Sequence, residues 1–176
     1  MPTETGTVTV NAAFLQELKE DNEKLRGLMA EFSAVCDLRP PLRLSHKRLA
    51  SLLAQLRDEL AMHFSLEEAF GYFDRPTAVA PHLSEQACRL RAEHATLYED
   101  VARIAEAAED ARSRWIAQSE DEDEDEDDPV KQRIVRRCQS FWDRLQQHEA
   151  GENELMWAVG CCADPAAPPA RRAVHR

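Results

Sequence analysis

Four apolar stripes at helical spacing constrain this chain more than any other feature. They are Leu15-Leu18-Asn22-Leu25-Met29-Phe32, Leu49-Leu53-Leu56-Leu60-His63-Glu67-Phe70, Leu83-Ala87-Leu90-His94-Leu97-Val101-Ile104 and Ile134-Cys138-Phe141-Leu145-His148-Glu152-Leu155-Val159. Every step is three or four residues, so each set shares one face of a helix. Each stripe carries one polar residue at a similar depth, Asn22, His63, His94 or His148, and Glu67 and Glu152 follow two of these by one turn. Ionised groups buried among leucines cost several kcal/mol apiece unless something neutralises them. A shared cation does so most directly, and the polar layer reads as a metal site.

The breaks between stripes set the helix limits. Asn11 is expected to cap a first helix running to about Cys36, which Arg39-Pro40-Pro41 ends. A second helix is predicted from about Ser45 to Tyr72, and a third from Ser84 to about Gln118. Asp128-Pro129 starts the fourth with a cap and a proline in the first turn, and Gly160 suits its end. Connections are short apart from the loop at 119–128, so the predicted fold is all-α, an antiparallel up-down-up-down four-helix bundle. The domain is expected to cover residues 11–160, between a flexible N-terminus at 1–10 and a disordered tail at 161–176 rich in Pro, Ala and Arg. The scarcity of glycine, five in 176 residues, agrees with a helical chain.

Net charge is −11, but nine acidic residues form one run, Glu120 to Asp128, and the remainder is nearly neutral. That run reads as a solvated linker. No basic face stands out, so no nucleic-acid partner is expected. The Thr-rich start, Met1 to Val10, lacks the pattern of a secretory signal, and no stretch approaches the ~20 apolar residues of a membrane span. Cys36, Cys88, Cys138, Cys161 and Cys162 show no CxxC spacing and fit reduced thiols, which points to the cytoplasm.

In an antiparallel bundle the four polar residues fall at one level. Asn22 lies 11 residues past Asn11, His94 11 past Leu83, His63 9 before Tyr72 and His148 11 before Val159, or about 15 Å from the same end. Glu67 and Glu152 lie one turn nearer that end, level with Leu18 and Leu90. A His and a Glu at i and i+4 can ligate one metal or a neighbouring pair, and carboxylates from facing helices can bridge two cations. Nitrogen and oxygen donors without thiolate suit iron first, then manganese or zinc. Ferritin-like sites use Glu-x-x-His at i, i+3, whereas this chain has His-x-x-x-Glu twice.

The segments His63-Phe64-Ser65-Leu66-Glu67-Glu68, Leu90-Arg91-Ala92-Glu93-His94 and His148-Glu149-Ala150-Gly151-Glu152, with the opening helix around Leu18 to Leu25, resemble the hemerythrin-like (HHE) cation-binding family over about residues 11–160. The resemblance implies a four-helix bundle holding a non-haem di-iron centre, with roles in dioxygen binding or sensing, iron handling or redox chemistry. Carried over by position, His63, His94 and His148 are terminal ligands, and Glu67 and Glu152 bridging carboxylates. Asn22 stands where a ligand histidine is expected, and Leu90 where hemerythrins proper carry a further one. A mononuclear site, or another divalent metal, is compatible with the reduced set.

The leading expectation is a hemerythrin-like iron protein that binds or senses a small ligand such as dioxygen, or handles iron. One rival is a di-iron redox enzyme reacting with peroxide or oxygen at positions the missing ligands leave open. The other is a metal-free scaffold in which His–Glu hydrogen bonds satisfy a degenerate polar layer. Elsewhere, His46 with Cys36 and Cys138 is weighed as a second site against a plain helix-end residue. His82 is placed in a loop and His175 in the tail, Cys161-Cys162 reads as a tail pair, and Trp115, Trp142 and Trp157 are expected to pack.

Overall fold

A computed structural model of the protein describes residues 12–37, 45–70, 72–74, 80–118 and 128–163, with side chains described at 23–37, 45–70, 72–74, 80–117 and 128–158. Among these residues the chain forms four long helices: α1 (Ala12–Asp37), α2 (His46–Ala69), α3 (Ser84–Gln118) and α4 (Pro129–Ala163). Consecutive helices pack together and α4 closes back onto α1, which makes the up-down-up-down bundle. The apolar stripes meet along its axis. Phe32, Leu49, Leu53, Leu56, Leu60, Val101, Phe141 and Leu145 are fully buried, each burial contributing roughly 1.5–3 kcal/mol. Phe32 packs edge-on against Phe141 and Trp142, at 5.9 and 5.8 Å between ring centres.

The helix starts follow local chemistry. The Ser45 hydroxyl accepts from the Arg48 amide at 3.2 Å and caps α2. A single 3-10 turn, Pro81–Leu83, feeds α3, and Asp128 Oδ1 accepts from the Val130 amide at 2.8 Å to cap α4. The ends depart from expectation. The fourth helix passes Gly160 and reaches Ala163, because an interior glycine costs only about 1 kcal/mol relative to alanine. The second helix stops at Ala69 rather than near Tyr72: the Phe70 amide closes onto Leu66 O at 2.9 Å, and Tyr72 N onto Glu67 O at 3.0 Å. Phe70 is therefore exposed instead of extending the stripe, and the turn directs Phe73 back into the bundle. Trp157 is also exposed rather than packed. Asn11, the side chains of Leu18, Asn22, Cys161 and Cys162, most of the acidic run, His175 and the two termini lie outside the described residues. None of the described helices is long and apolar enough to cross a membrane.

Candidate metal centre

Three helices bring their polar residues to one point. Donor atoms of His94 on α3 and of His148 and Glu152 on α4 all lie within 4.8 Å of one another, and all three residues are buried. His148 Nε2 stands 3.2 Å and His94 Nε2 3.4 Å from Glu152 Oε1. Helix α2 adds Glu67, whose Oε2 is 3.4 Å from His94 Nε2 and whose Oε1 is 3.3 Å from His63 Nε2. His63 sits at the rim, its side chain 26% exposed against 3% for His94. The five residues singled out in the sequence thus converge as three interior groups, one link and one rim imidazole.

Aromatic and aliphatic side chains wall the interior part. Phe64 stacks on the His94 ring at 4.2 Å and 13° and meets His148 edge-on at 5.9 Å. Phe73 closes on His94 from another side at 5.3 Å and 65°. Leu90, the residue at a position where a further histidine would fall, packs with Phe73, Ala87 and Leu155 into a small apolar cluster. Gly151 leaves room for the Leu90 side chain there, since a Cβ at that position would lie 2.9 Å from Leu90 Cδ2.

Outside the cluster, two carboxylates orient the rings. His148 Nδ1 donates to Glu93 Oε2 at 3.0 Å and His94 Nδ1 to Glu68 Oε1 at 3.2 Å. With Nδ1 engaged in this way, Nε2 of each ring faces the interior, that of His94 bonded to Glu152 Oε1 at 3.4 Å, the orientation in which metal-binding histidines are held. Glu68, Glu93 and a further neighbour, Glu149, are absent from the sequence-derived ligand set. Their one signal is adjacency: each directly precedes or follows one of its members.

The electrostatics record an excess of carboxylate. Burial first, then the charges of Glu152 and Glu149, push Glu67 up to about 8. Burial and Glu152 likewise raise Glu149, and burial pushes the Tyr72 phenol up to about 12. For Glu152 burial acts upward but is overcome by the imidazoles of His148 and His94, which hold it down to about 2. Burial lowers His148, but Glu152 and Glu93 prevail and raise it, while burial leaves the His63 value lowered.

Whether these residues fit a cation can be judged from their own geometry. Two donors ~2.1 Å from one ion at angles of ~90–110° lie roughly 3.0–3.4 Å apart, which matches the 3.2, 3.4 and 3.4 Å separations about His94, His148, Glu152 and Glu67. Two of those atoms, His148 Nε2 and Glu67 Oε2, are buried and have no hydrogen-bond partner. They are close to opposite-charge neighbours without being aligned on them, as donors aimed at a common point would be. The set fits a cation of the iron, manganese or zinc type.

No second site forms around His46. Its Nε2 bonds Asp128 Oδ2 at 2.9 Å and its ring stacks on Trp115 at 5.9 Å and 18°. Cys36 and Cys138 are buried, and burial pushes both thiols up to about 12. His82 is exposed on the 3-10 turn. Among the described residues His94, His148 and Glu152 are the one tight cluster of metal-donor groups.

Fold and site together define a helical bundle built around a His/carboxylate cation cradle. Residues 13–156 match the hemerythrin HHE cation binding domain, and the chain belongs to that family. No significant match was found among curated proteins or among solved structures.

Proposed function

We propose that residues 11–160 form one domain that holds non-haem iron as a dinuclear centre, on His63, Glu67, His94, His148 and Glu152, and binds or senses a small ligand such as dioxygen. The observation that carries this reading is the pair of buried, unpartnered donors, His148 Nε2 and Glu67 Oε2, in a cradle of nitrogen and oxygen ligands. Leaving such atoms unsatisfied costs about 1–3 kcal/mol each, and a bound cation removes that penalty. Bound iron supplies a redox-active Lewis acid with positions left for an exogenous ligand. The protein residues do the rest: Glu68 and Glu93 fix the imidazoles, Phe64, Phe73 and Leu90 exclude water, and Glu67 links the interior to the rim.

Elemental analysis of protein produced with ample iron and purified without chelator tests this. Near-stoichiometric iron, lost in H148A and E152A, is the expected result. No metal even after anaerobic ferrous loading would overturn it and leave a metal-free scaffold. The partial exposure of His63 favours one further reading, a redox catalyst that consumes peroxide. Multiple turnovers by the ferrous protein would support it, and purely stoichiometric oxidation would sink it.

A further inference from the structure

Helices α2 and α3 leave an opening on the solvent side of His94. Ala61 and Ser65, one turn apart on α2, and Ala95 on α3 are small, and the cleft they line has a volume of about 540 Å³. That is far more than a diatomic ligand needs and lies within the ~300–1,000 Å³ of sites for organic molecules. Two aromatic side chains line it as well, Phe64, which is buried, and Tyr98, which is 41% exposed. His94 and Glu68 complete the lining.

The charge of this lining decides what it can hold. Glu68 supplies its one carboxylate, and among the described residues no lysine or arginine lines it. Glu68 Oε1 is engaged with His94 Nδ1 at 3.2 Å. Its Oε2 faces the Arg91 guanidinium at 3.6 Å, a long contact that Arg91 divides with Asp74 Oδ1 at 3.8 Å. Partly exposed pairs of that length hold loosely and exchange readily. The Ser65 hydroxyl donates to Ala61 O at 2.7 Å, so its proton is committed. An anion would meet the Glu68 charge, and an uncharged molecule would leave that charge unused. A carboxylate oxygen beside two aromatic rings suits an organic cation, because the ring faces attract positive charge as well.

We propose that the α2/α3 cleft binds a small organic ammonium ion, with its charged group on Glu68 Oε2 in place of Arg91 and its apolar body against Phe64 and Tyr98. The small side chains of Ala61, Ser65 and Ala95 admit that body. Occupancy is felt at the cation cradle, because Glu68 also orients His94. An ammonium on Glu68 draws carboxylate charge away from the imidazole, so bound ammonium and bound metal oppose one another, and such coupling is reciprocal. The coupling rests on the metal reading above, whereas the cleft does not.

The test is isothermal titration calorimetry of the full-length, metal-free chain with naphthylmethylammonium, uncharged naphthalenemethanol and anionic naphthoate, for wild type, E68Q, A61L and A95L. Leucine and glutamine are good helix formers, and thermal unfolding checks that the bundle is unchanged. Wild type should bind one ammonium per chain at least roughly tenfold more tightly than the alcohol, with naphthoate weakest. E68Q keeps an acceptor for His94 Nδ1 and should bring the ammonium down to the affinity of the alcohol. A61L and A95L fill the cleft from either helix and should weaken both ligands at least roughly tenfold. An ammonium that does not bind, or binds no more tightly than the alcohol, would overturn the proposal. So would an affinity unchanged in E68Q or in both leucine variants. With anaerobic Fe(II)-loaded protein the ammonium affinity should fall, and an unchanged value in protein holding iron would overturn the coupling. Failure to take up iron would overturn the proposed function and the coupling with it, while the titrations of metal-free protein still decide the cleft.

Discussion

His148 Nε2 and Glu152 Oε1 stand 3.2 Å apart on successive turns of α4, yet the nitrogen has no hydrogen-bond partner. Residues at i and i+4 on a helix are side-by-side neighbours, and the ordinary outcome for such a pair is a direct bond. Here the ring is held from behind by Glu93, and the two donors face the same interior point. Glu152 Oε1 is bonded instead by His94 Nε2 at 3.4 Å, which leaves His148 Nε2 as the open donor of the set.

Metal should therefore be a stability ligand. A ligand that binds only the folded state at 100 times its Kd stabilises by about 2.7 kcal/mol. Thermal unfolding with and without ferrous iron under anaerobic conditions should show an increment of that order in wild type. In H148A and E152Q the increment should vanish. An equal increment in the variants would place the metal elsewhere.

Protonation of Glu67 gives a pH dependence of definite sign. Its folded value is raised from 4.5 to about 8, so between those limits the folded state holds a proton that the unfolded state has released. Stability of the metal-free protein falls as pH rises through that window. Glu152 acts at the other end: held down to about 2, it contributes stability above 4.5 that is lost as pH falls toward 2. In metal-free protein, E67Q should flatten the decline between pH 4.5 and 8 and leave the acid limb in place. Because the cation requires ionised Glu67, loading at pH 7 should also release protons, measurable by calorimetry in two buffers of different ionisation enthalpy. Loading without proton release would contradict the raised value.

Glu93 is a positioning residue for His148. Removing such an outer partner typically weakens metal binding 10–100-fold. In E93A the weakening should be of that size, and nitrogen-15 NMR of the metal-free protein should show His148 losing its Nδ1–H preference. E93Q, whose amide oxygen still accepts from Nδ1, should restore much of both. Loss of affinity with the tautomer unchanged would mean that Glu93 acts only through its charge.

Much of this arrangement is legible in the sequence, and the reason is periodicity. Spacings of three and four place Leu53, Leu56, Leu60, His63 and Glu67 on one face whatever the neighbours are, and repeating that on the third and fourth helices brings His94, His148 and Glu152 to the same depth. Ser45 and Asp128-Pro129 mark helix starts because their chemistry is local. The residues that orient and flank the site are not recoverable in this way. Glu68, Glu93 and Glu149 lie one position, about 100°, off the stripes, among many charged residues equally placed to face solvent. Which of them turns inward depends on the neighbouring helix. The early end of α2 escapes detection for a similar reason, since Phe70 continues the apolar spacing while the backbone turns to set Phe73 against His94.

The opposite end of the bundle supplies the control. Asp128 caps α4 through Oδ1, at 2.8 Å from the Val130 amide, and accepts from the buried His46 ring through Oδ2 at 2.9 Å. His46 precedes His63 by 17 residues on the same helix, or about 25 Å. D128A removes the cap and a hydrogen-bond partner of a buried imidazole, which should destabilise the protein by roughly 1–3 kcal/mol. At ~2–4 °C per kcal/mol for a chain of this size, the loss is readily measured as a fall in Tm or a lower urea midpoint. D128N retains a capping side chain and a carbonyl acceptor, and should recover most of it. Metal stoichiometry and affinity should be unchanged in both variants, because Asp128 lies about 25 Å from the donors. A metal deficit in D128A at temperatures where it is fully folded would show the two ends to be coupled through α4.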